Sequence, residues 1–178
     1  MKMFRLKLAA IIGGMMLAYW GVQDYRVSMG TSSEPVAIEL AAIESGETPS
    51  SNYIKIGEHV ADYVGCVYEY EERYGRTTIN HLYYPIISDD NSFFVDLAAL
   101  YEKYGNADDI PEEEYPEIHD FHVLVKTRRF KTEDSIPEGL SADDEIQGMV
   151  INLVDSLDAD EKKMIQSDWP EVNLDEVL

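Results

Sequence analysis

Hydrophobic residues near the start of the chain form one continuous run. Residues 8–22 carry no charge and follow three basic residues, Lys2, Arg5 and Lys7. As a helix, this run spans about 22 Å, which is less than the roughly 30 Å hydrocarbon core of a bilayer. Lysine and arginine side chains can snorkel to the headgroups, which extends the segment that we expect to contact the lipid bilayer to residues 3–22.

The far end of the run decides between an anchor and a removable signal. Tyr19, Trp20 and Tyr25 cluster there, as in the aromatic belt of a membrane interface. Small residues at the spacing that a signal peptidase needs first occur at Ser28 and Gly30, well after the run. We therefore expect an uncleaved anchor. A cleaved signal peptide and a buried helix of a soluble protein are the alternatives.

The positive charges before the run predict its orientation. Lysine and arginine remain on the cytoplasmic side of a membrane, so the remainder of the chain is expected to face outward. Residues 26–35 are rich in Ser, Thr and Gly, as in a flexible linker. We therefore predict a single-pass membrane protein with a cytoplasmic N-terminus. It has an anchor over residues 1–25, a tether over 26–35 and an acidic extracytoplasmic domain over 36–178.

Alternating apolar and polar positions in this domain predict strands, because side chains of a strand point to opposite faces in turn. The predicted strands are residues 36–40, 53–57, 60–72, 78–88, 121–130 and 172–178. In the third of these, Val64, Cys66, Tyr68 and Tyr70 would share one face. The sequence ERYGRT then predicts a hairpin turn, and Pro85 indicates an edge strand or a bulge in the strand that follows.

A spacing of three and four residues between apolar positions predicts helices. One helix runs from Phe93 to Tyr104 and stops at Gly105. A second is expected over residues 146–157, started by the capping pair of Ser141 and Asp144. A third, shorter helix is expected from Asp158 to about Ser167. The fold class is therefore α+β: a small, mostly antiparallel curled sheet or open barrel packed by two to three helices.

The charge of the chain restricts its partners. The chain has 14 basic and 35 acidic residues, and its net charge is −21. Such a surface repels nucleic acid, so no nucleic-acid partner is expected. No glycine-rich phosphate loop or GxSxG motif occurs, and we predict no cofactor. Cys66, the only cysteine, is expected to be a buried and unreactive thiol of a strand.

One local cluster, EIHDFH, could hold a metal ion. His119 and His122 lie three residues apart beside two carboxylates, and imidazole with carboxylate suits zinc. Their position at the entry to a strand points the two rings to opposite sides, and a third ligand would have to come from His59 or His81. An extracytoplasmic metal-dependent hydrolase is therefore the alternative function.

Tyrosine and basic residues supply the favoured function. Tyr68 and Tyr70 lie in the predicted hairpin, and Lys126 and Arg128 lie on the outer face of the strand at 121–130. Tyrosine suits protein contacts, although half-buried sheet positions also favour it, and the basic residues could simply pair with acidic neighbours. We expect a non-enzymatic, membrane-tethered interaction or scaffold domain that contacts another envelope or membrane protein through these side chains.

Overall fold

The fold is α+β, as predicted, with two open sheets. A computed structural model describes residues 12–19, 21, 31–106, 109–111, 114–116, 118, 120–151, 157, 159–170, 172–174, 177 and 178. Its strands are β1 (Val36–Ile38), β2 (Tyr53–Ile56), β3 (His59–Asp62), β4 (Val67–Arg73), β5 (Arg76–Ile87), β6 (Val123–Thr127), β7 (Leu140–Asp143) and β8 (Ile146–Met149). Its helices are α1 (Leu40–Glu44), α2 (Ser92–Tyr104) and α3 (Ala159–Asp168), with a 3-10 turn at Glu133–Ser135.

A bent two-stranded ribbon joins the two sheets. The smaller sheet has the order β1-β2-β8, with β1 parallel to β2, and the larger has the order β4-β5-β3-β7, with β6 paired to β5. Tyr53 pairs with Met149 and His59 with Asp143, so one antiparallel register continues from the β2–β8 pair to the β3–β7 pair. The ribbon is interrupted only at residues 57–58 and 144–145, where it bends from one sheet into the other.

Strand β5 separates two hydrophobic clusters, because its successive side chains point to opposite faces. Cluster A consists of Leu40, Ile43, Ile54, Ile56, Ala61, Tyr63, Leu82, Tyr84, Ile86, Val123, Phe130 and Val150. Cluster B consists of Val67, Tyr83, Ile87, Phe121, Ile165, Trp169, Val172, Leu174 and Val177. Helix α1 therefore packs on cluster A, and α3 packs on cluster B through Ile165.

Pro85 lies inside the larger sheet and not at the predicted edge. It pairs with Leu124 of β6, whose N–H donates to the carbonyl of Leu178 and thus points away from β5. The nitrogen of Pro85 must then point to the other side, where the pairing of β5 with β4 extends only to Tyr83 and its pairing with β3 starts only at Ile86. Pro85 therefore lies at a position of β5 where neither β4 nor β3 pairs with it, so the sheet loses no hydrogen bond by the lack of an N–H there.

Helix α2 has the predicted position and both of its ends are defined by local signals. The side chain of Asn91 accepts a hydrogen bond from the N–H of Phe93 at 3.0 Å. Gly105 has a φ of 77° and donates its N–H to the carbonyl of Tyr101 at 2.8 Å, which is a left-handed helix stop. No side chain described for this helix is buried, so it covers the body only loosely. The predicted third helix is also confirmed, as α3.

The predicted helix over residues 146–157 is wrong over its first turn. Ile146–Met149 is strand β8, and Ser141, the predicted cap, lies in β7. The apolar spacing fits a helix, but the partner strand β2 offers a ladder of hydrogen bonds and Gly148 disfavours helix. Residues 152–156, with Leu153 and Val154 of the predicted stripe, lie outside the described part.

The predicted strand over residues 60–72 is two strands. A turn at residues 63–66 separates β3 from β4 and leaves Val64 77% exposed, so Val64 does not share a face with Tyr68. Cys66 lies in this turn and is half-buried, not buried in a strand. Burial, followed by the negative charge of Asp62, raises the pKa of the Cys66 thiol, which keeps it protonated and poorly nucleophilic.

The strands predicted at the two ends of the domain both differ from the structure. The first ends at Ile38, because Leu40 begins α1. In the last, the described residues are not assigned to a strand, although Leu178 donates its N–H to the carbonyl of His122 at 2.8 Å.

Residues 12–19 are helical. Among the described residues, no helix has both the length and the apolar character that crossing a bilayer requires.

Candidate interaction surface

The β4–β5 hairpin extends beyond the body of the domain. Its turn consists of Tyr74 and Gly75, whose φ values of 53° and 71° are both positive. A two-residue loop of this kind matches the twist of the flanking strands. All residues from Glu69 to Thr78 are exposed, so this stretch presents both of its faces to solvent. The predicted hairpin is confirmed.

Tyrosines occupy one face of the hairpin and its tip. Tyr70 is 59% exposed, and Tyr74 is fully exposed at the turn. The rings of Tyr68 and Tyr70 are neighbours, with centroids 6.2 Å apart. Tyr68 is half-buried and its hydroxyl donates to Glu133, so that Glu133 raises the pKa of Tyr68. Tyr68 therefore supports Tyr70 and is itself held in place.

The opposite face carries a row of three polar side chains: Glu69 of β4, His81 of β5 and Arg128, which directly follows β6. Arg128 donates from Nε to Nε2 of His81 at 2.7 Å, and Nδ1 of His81 lies 2.9 Å from Oε2 of Glu69. Because Nε2 accepts, the proton of the neutral imidazole lies on Nδ1 and is donated to Glu69. Arg128 is thus exposed but oriented by the row.

Lys126, in contrast, is used inside the domain. It forms an ion pair with Glu161 of α3, and both side chains are about four-fifths buried, at 22% and 19% exposure. Tyr83 donates its hydroxyl to the same carboxylate at 2.7 Å. This contact is the acidic pairing that the sequence allowed as the simpler interpretation, and it joins α3 to the sheet.

The metal-site prediction is only partly covered by the structure. His119 lies outside the described residues, whereas His122 precedes β6. Nδ1 of His122 is buried, has no hydrogen-bond partner among the described residues and lies 3.9 Å from Oδ1 of Asp120. His59 is buried, with Nδ1 2.8 Å from the carbonyl of Gly57. In the described part of the chain, no group of three or more His, Cys, Asp or Glu is arranged to hold a metal. The site remains a prediction.

Asp62 is a buried carboxylate that sequence reasoning did not single out. It ends β3 with 8% exposure, and its Oδ1 accepts the N–H of Val64 at 2.9 Å. Burial raises the pKa of Asp62, and hydrogen bonds from the backbones of Val64 and Gly65 oppose this. The sequence does not reveal that Asp62 is buried, because the turn that buries its side chain was predicted to be part of a strand.

We expect the substitution Asp62→Asn to stabilise the domain at neutral pH. The raised pKa means that the fold favours protonated Asp62; this stability is present below the ordinary value of 3.8 and is lost as the pH rises through the folded pKa. Asparagine stays neutral and keeps the acceptor for Val64. Urea unfolding between about pH 3 and pH 7 should show an advantage that vanishes towards acid. An advantage of equal size at every pH would contradict it, and Asp89→Asn, at an exposed carboxylate, is the control.

Comparison of the chain with protein-family models finds no match. Comparisons with curated proteins and with solved structures also find none. The function is therefore inferred from the residues of the hairpin and its surroundings.

Proposed function

We propose that this protein is a membrane-tethered, non-enzymatic interaction domain that faces outward from the cytoplasm. It contacts another envelope or membrane protein through the β4–β5 hairpin. The observation that carries this proposal is the exposure of both faces of the hairpin together with the two tyrosines, Tyr70 and Tyr74. Exposed aromatic side chains on a preformed element supply contact area at low cost in conformational entropy, as in protein interfaces.

The structure refines the predicted contact residues. Tyr70 and Tyr74 are accessible to a partner, and Arg128 is exposed on the opposite face. Tyr68 and Lys126 are engaged with Glu133 and Glu161. The proposed contact is therefore centred on the outer half of the hairpin, with Tyr68 and Lys126 acting as supports.

The tether is proposed from the sequence. The three basic residues before the apolar run support a cytoplasmic N-terminus and an outward-facing domain. A reporter that is active only outside the cytoplasm, fused after Leu178, should be active, and the full chain should sediment with membranes after an alkaline wash. Activity of only a cytoplasmic reporter, or recovery of the chain in the cytosolic fraction, would overturn this part of the proposal.

The hairpin contact is tested with a substitution that should not harm the fold. Tyr74 adopts a positive φ, which asparagine tolerates better than tyrosine, so Tyr74→Asn should stabilise the domain by about 0.5–1 kcal/mol. Removal of an exposed aromatic contact should nevertheless lower partner recovery by about tenfold. The measurement is quantitative cross-linking and co-purification from membranes, beside unfolding of the purified protein.

Two further variants complete this test. Tyr70→Ser should weaken partner recovery as Tyr74→Asn does. Tyr101→Ser, at a 44% exposed tyrosine of α2, is the matched control and should leave recovery unchanged. Equal recovery with the wild type and all three variants would show that the hairpin is not the contact.

A further inference from the structure

An open, mostly apolar cavity lies between the outer edges of β6 and β8. Its volume is about 330 Å³, within the range of ligand pockets. Residues 146–151 and Val123–Thr127 all line it without a gap in either stretch. Successive residues of a strand point to opposite faces, so a cavity lined by every residue must follow the edge of the strand. Gly148 has no side chain and lines the cavity with its backbone.

The outer edge of β8 presents backbone groups that point away from β2. The N–H of Val150 donates to the carbonyl of Asn52 at 2.8 Å, so Val150 directs its backbone groups towards β2. In an antiparallel pair this alternates, and Gln147 and Met149 therefore direct their N–H and C=O groups away from β2. Neither has a backbone partner on that side among the described residues.

The outer edge of β6, like that of β8, has backbone groups that point away from its partner strand. The N–H of Leu124 donates outward, to the carbonyl of Leu178 at 2.9 Å. Lys126, two residues further on, must also direct its backbone N–H and C=O outward. Its backbone has no partner there in the part of the chain that is described. The cavity is thus bordered by two strand edges whose outward backbone groups at Gln147, Met149 and Lys126 have no backbone partner among the described residues.

We propose that this cavity binds an extended peptide segment of a partner protein by β-strand addition. A strand laid along β8 or β6 would pair with the outward backbone groups of Gln147, Met149 or Lys126, and its alternate side chains would enter the apolar lining. An acyl chain would instead cover these groups without hydrogen bonds, which is unfavourable for each group left buried and unpaired. The backbone geometry therefore favours a peptide.

Charge indicates the composition of the peptide. Arg129 lines the cavity and makes no ion pair within the described residues, whereas Lys126 already pairs with Glu161. In a chain of net charge −21, a cation at the rim without an ion pair among the described residues is a distinctive feature. The expected segment has alternating aliphatic residues and an acidic residue beside them that reaches Arg129.

The probe is the acetylated and amidated peptide Asp-Val-Thr-Val-Thr-Val-Asp, titrated against the full chain in lipid nanodiscs. The variant Gln147→Pro removes an outward N–H without removing a bond to β2, since proline is tolerated on a free edge. We expect it to weaken binding about tenfold or more. Ala142→Pro makes the same change on the outward edge of β7, away from the cavity, and should change binding less than about twofold.

Three probes of the unmodified protein keep the test independent of the folding of any variant. The same peptide with N-methylated valines should not bind, the peptide flanked by Lys should bind about fivefold more weakly, and the amides of Gln147, Met149 or Lys126 should gain protection from hydrogen exchange. Absence of binding, binding that N-methylation leaves unchanged, or binding of dodecanoate but not of the peptide would overturn the proposal. Tyr74→Asn should leave peptide binding intact, which separates this site from the hairpin contact.

Discussion

Replacement of Leu82 by alanine should lower the free energy of unfolding by about 2–5 kcal/mol. Leu82 is fully buried in cluster A, and it lies in β5 between Tyr68 of β4 and Thr127 of β6. Strands on both sides prevent the backbone from closing the space that the lost side chain would leave. Since small domains are stable by about 5–15 kcal/mol, this single change removes a large part of the total.

Chemical denaturation of the purified protein measures this effect. Val64→Ala is the control, because Val64 is 77% exposed and its substitution should change stability by less than about 0.5 kcal/mol. A loss below about 1 kcal/mol for Leu82→Ala would mean that β5 is not the centre of the core.

The second large effect concerns the ion pair between the sheet and α3. Glu161→Gln keeps an acceptor for the hydroxyl of Tyr83 but leaves the ammonium of Lys126 largely buried without a counter-charge. We expect a loss of about 1–3 kcal/mol, less than for a fully buried pair because each side chain is about one-fifth exposed.

A double variant distinguishes this charge effect from lost packing. Lys126→Met combined with Glu161→Gln leaves no unpaired charge and keeps an acceptor for Tyr83, so it should recover most of the stability lost in Glu161→Gln alone. The exposed pair of Lys103 and Glu114 is the control, and Glu114→Gln should change stability much less than Glu161→Gln does. If the double variant is no more stable than Glu161→Gln, the unpaired charge is not the cause of the lost stability.

Elements with local signals were predictable from the sequence. Helix α2 begins beside Asn91 and ends at Gly105, and both residues act on the backbone of their immediate neighbours. The hairpin turn at Tyr74 and Gly75 is equally local. Such features depend on a few adjacent residues, so they are visible before the rest of the fold is known.

Elements that depend on distant partners were not predictable. Residues Ile146–Met149 become a strand because β2, far away in the sequence, pairs with them, and helical spacing alone cannot reveal that pairing. The same reasoning applies to the surface. Glu69 lies in β4, His81 in β5 and Arg128 directly after β6, and their row exists only because of the register between these strands. Tyr68 and Tyr70 were recognised because they are neighbours in one strand.

The bent ribbon of β2–β3 and β7–β8 affects how the domain unfolds. Strands β2 and β3 are two halves of one length of chain, as are β7 and β8, so neither sheet can detach without pulling on the other. Melting should consequently be a single all-or-none event, and the slowest-exchanging amides of both sheets should report one common opening free energy.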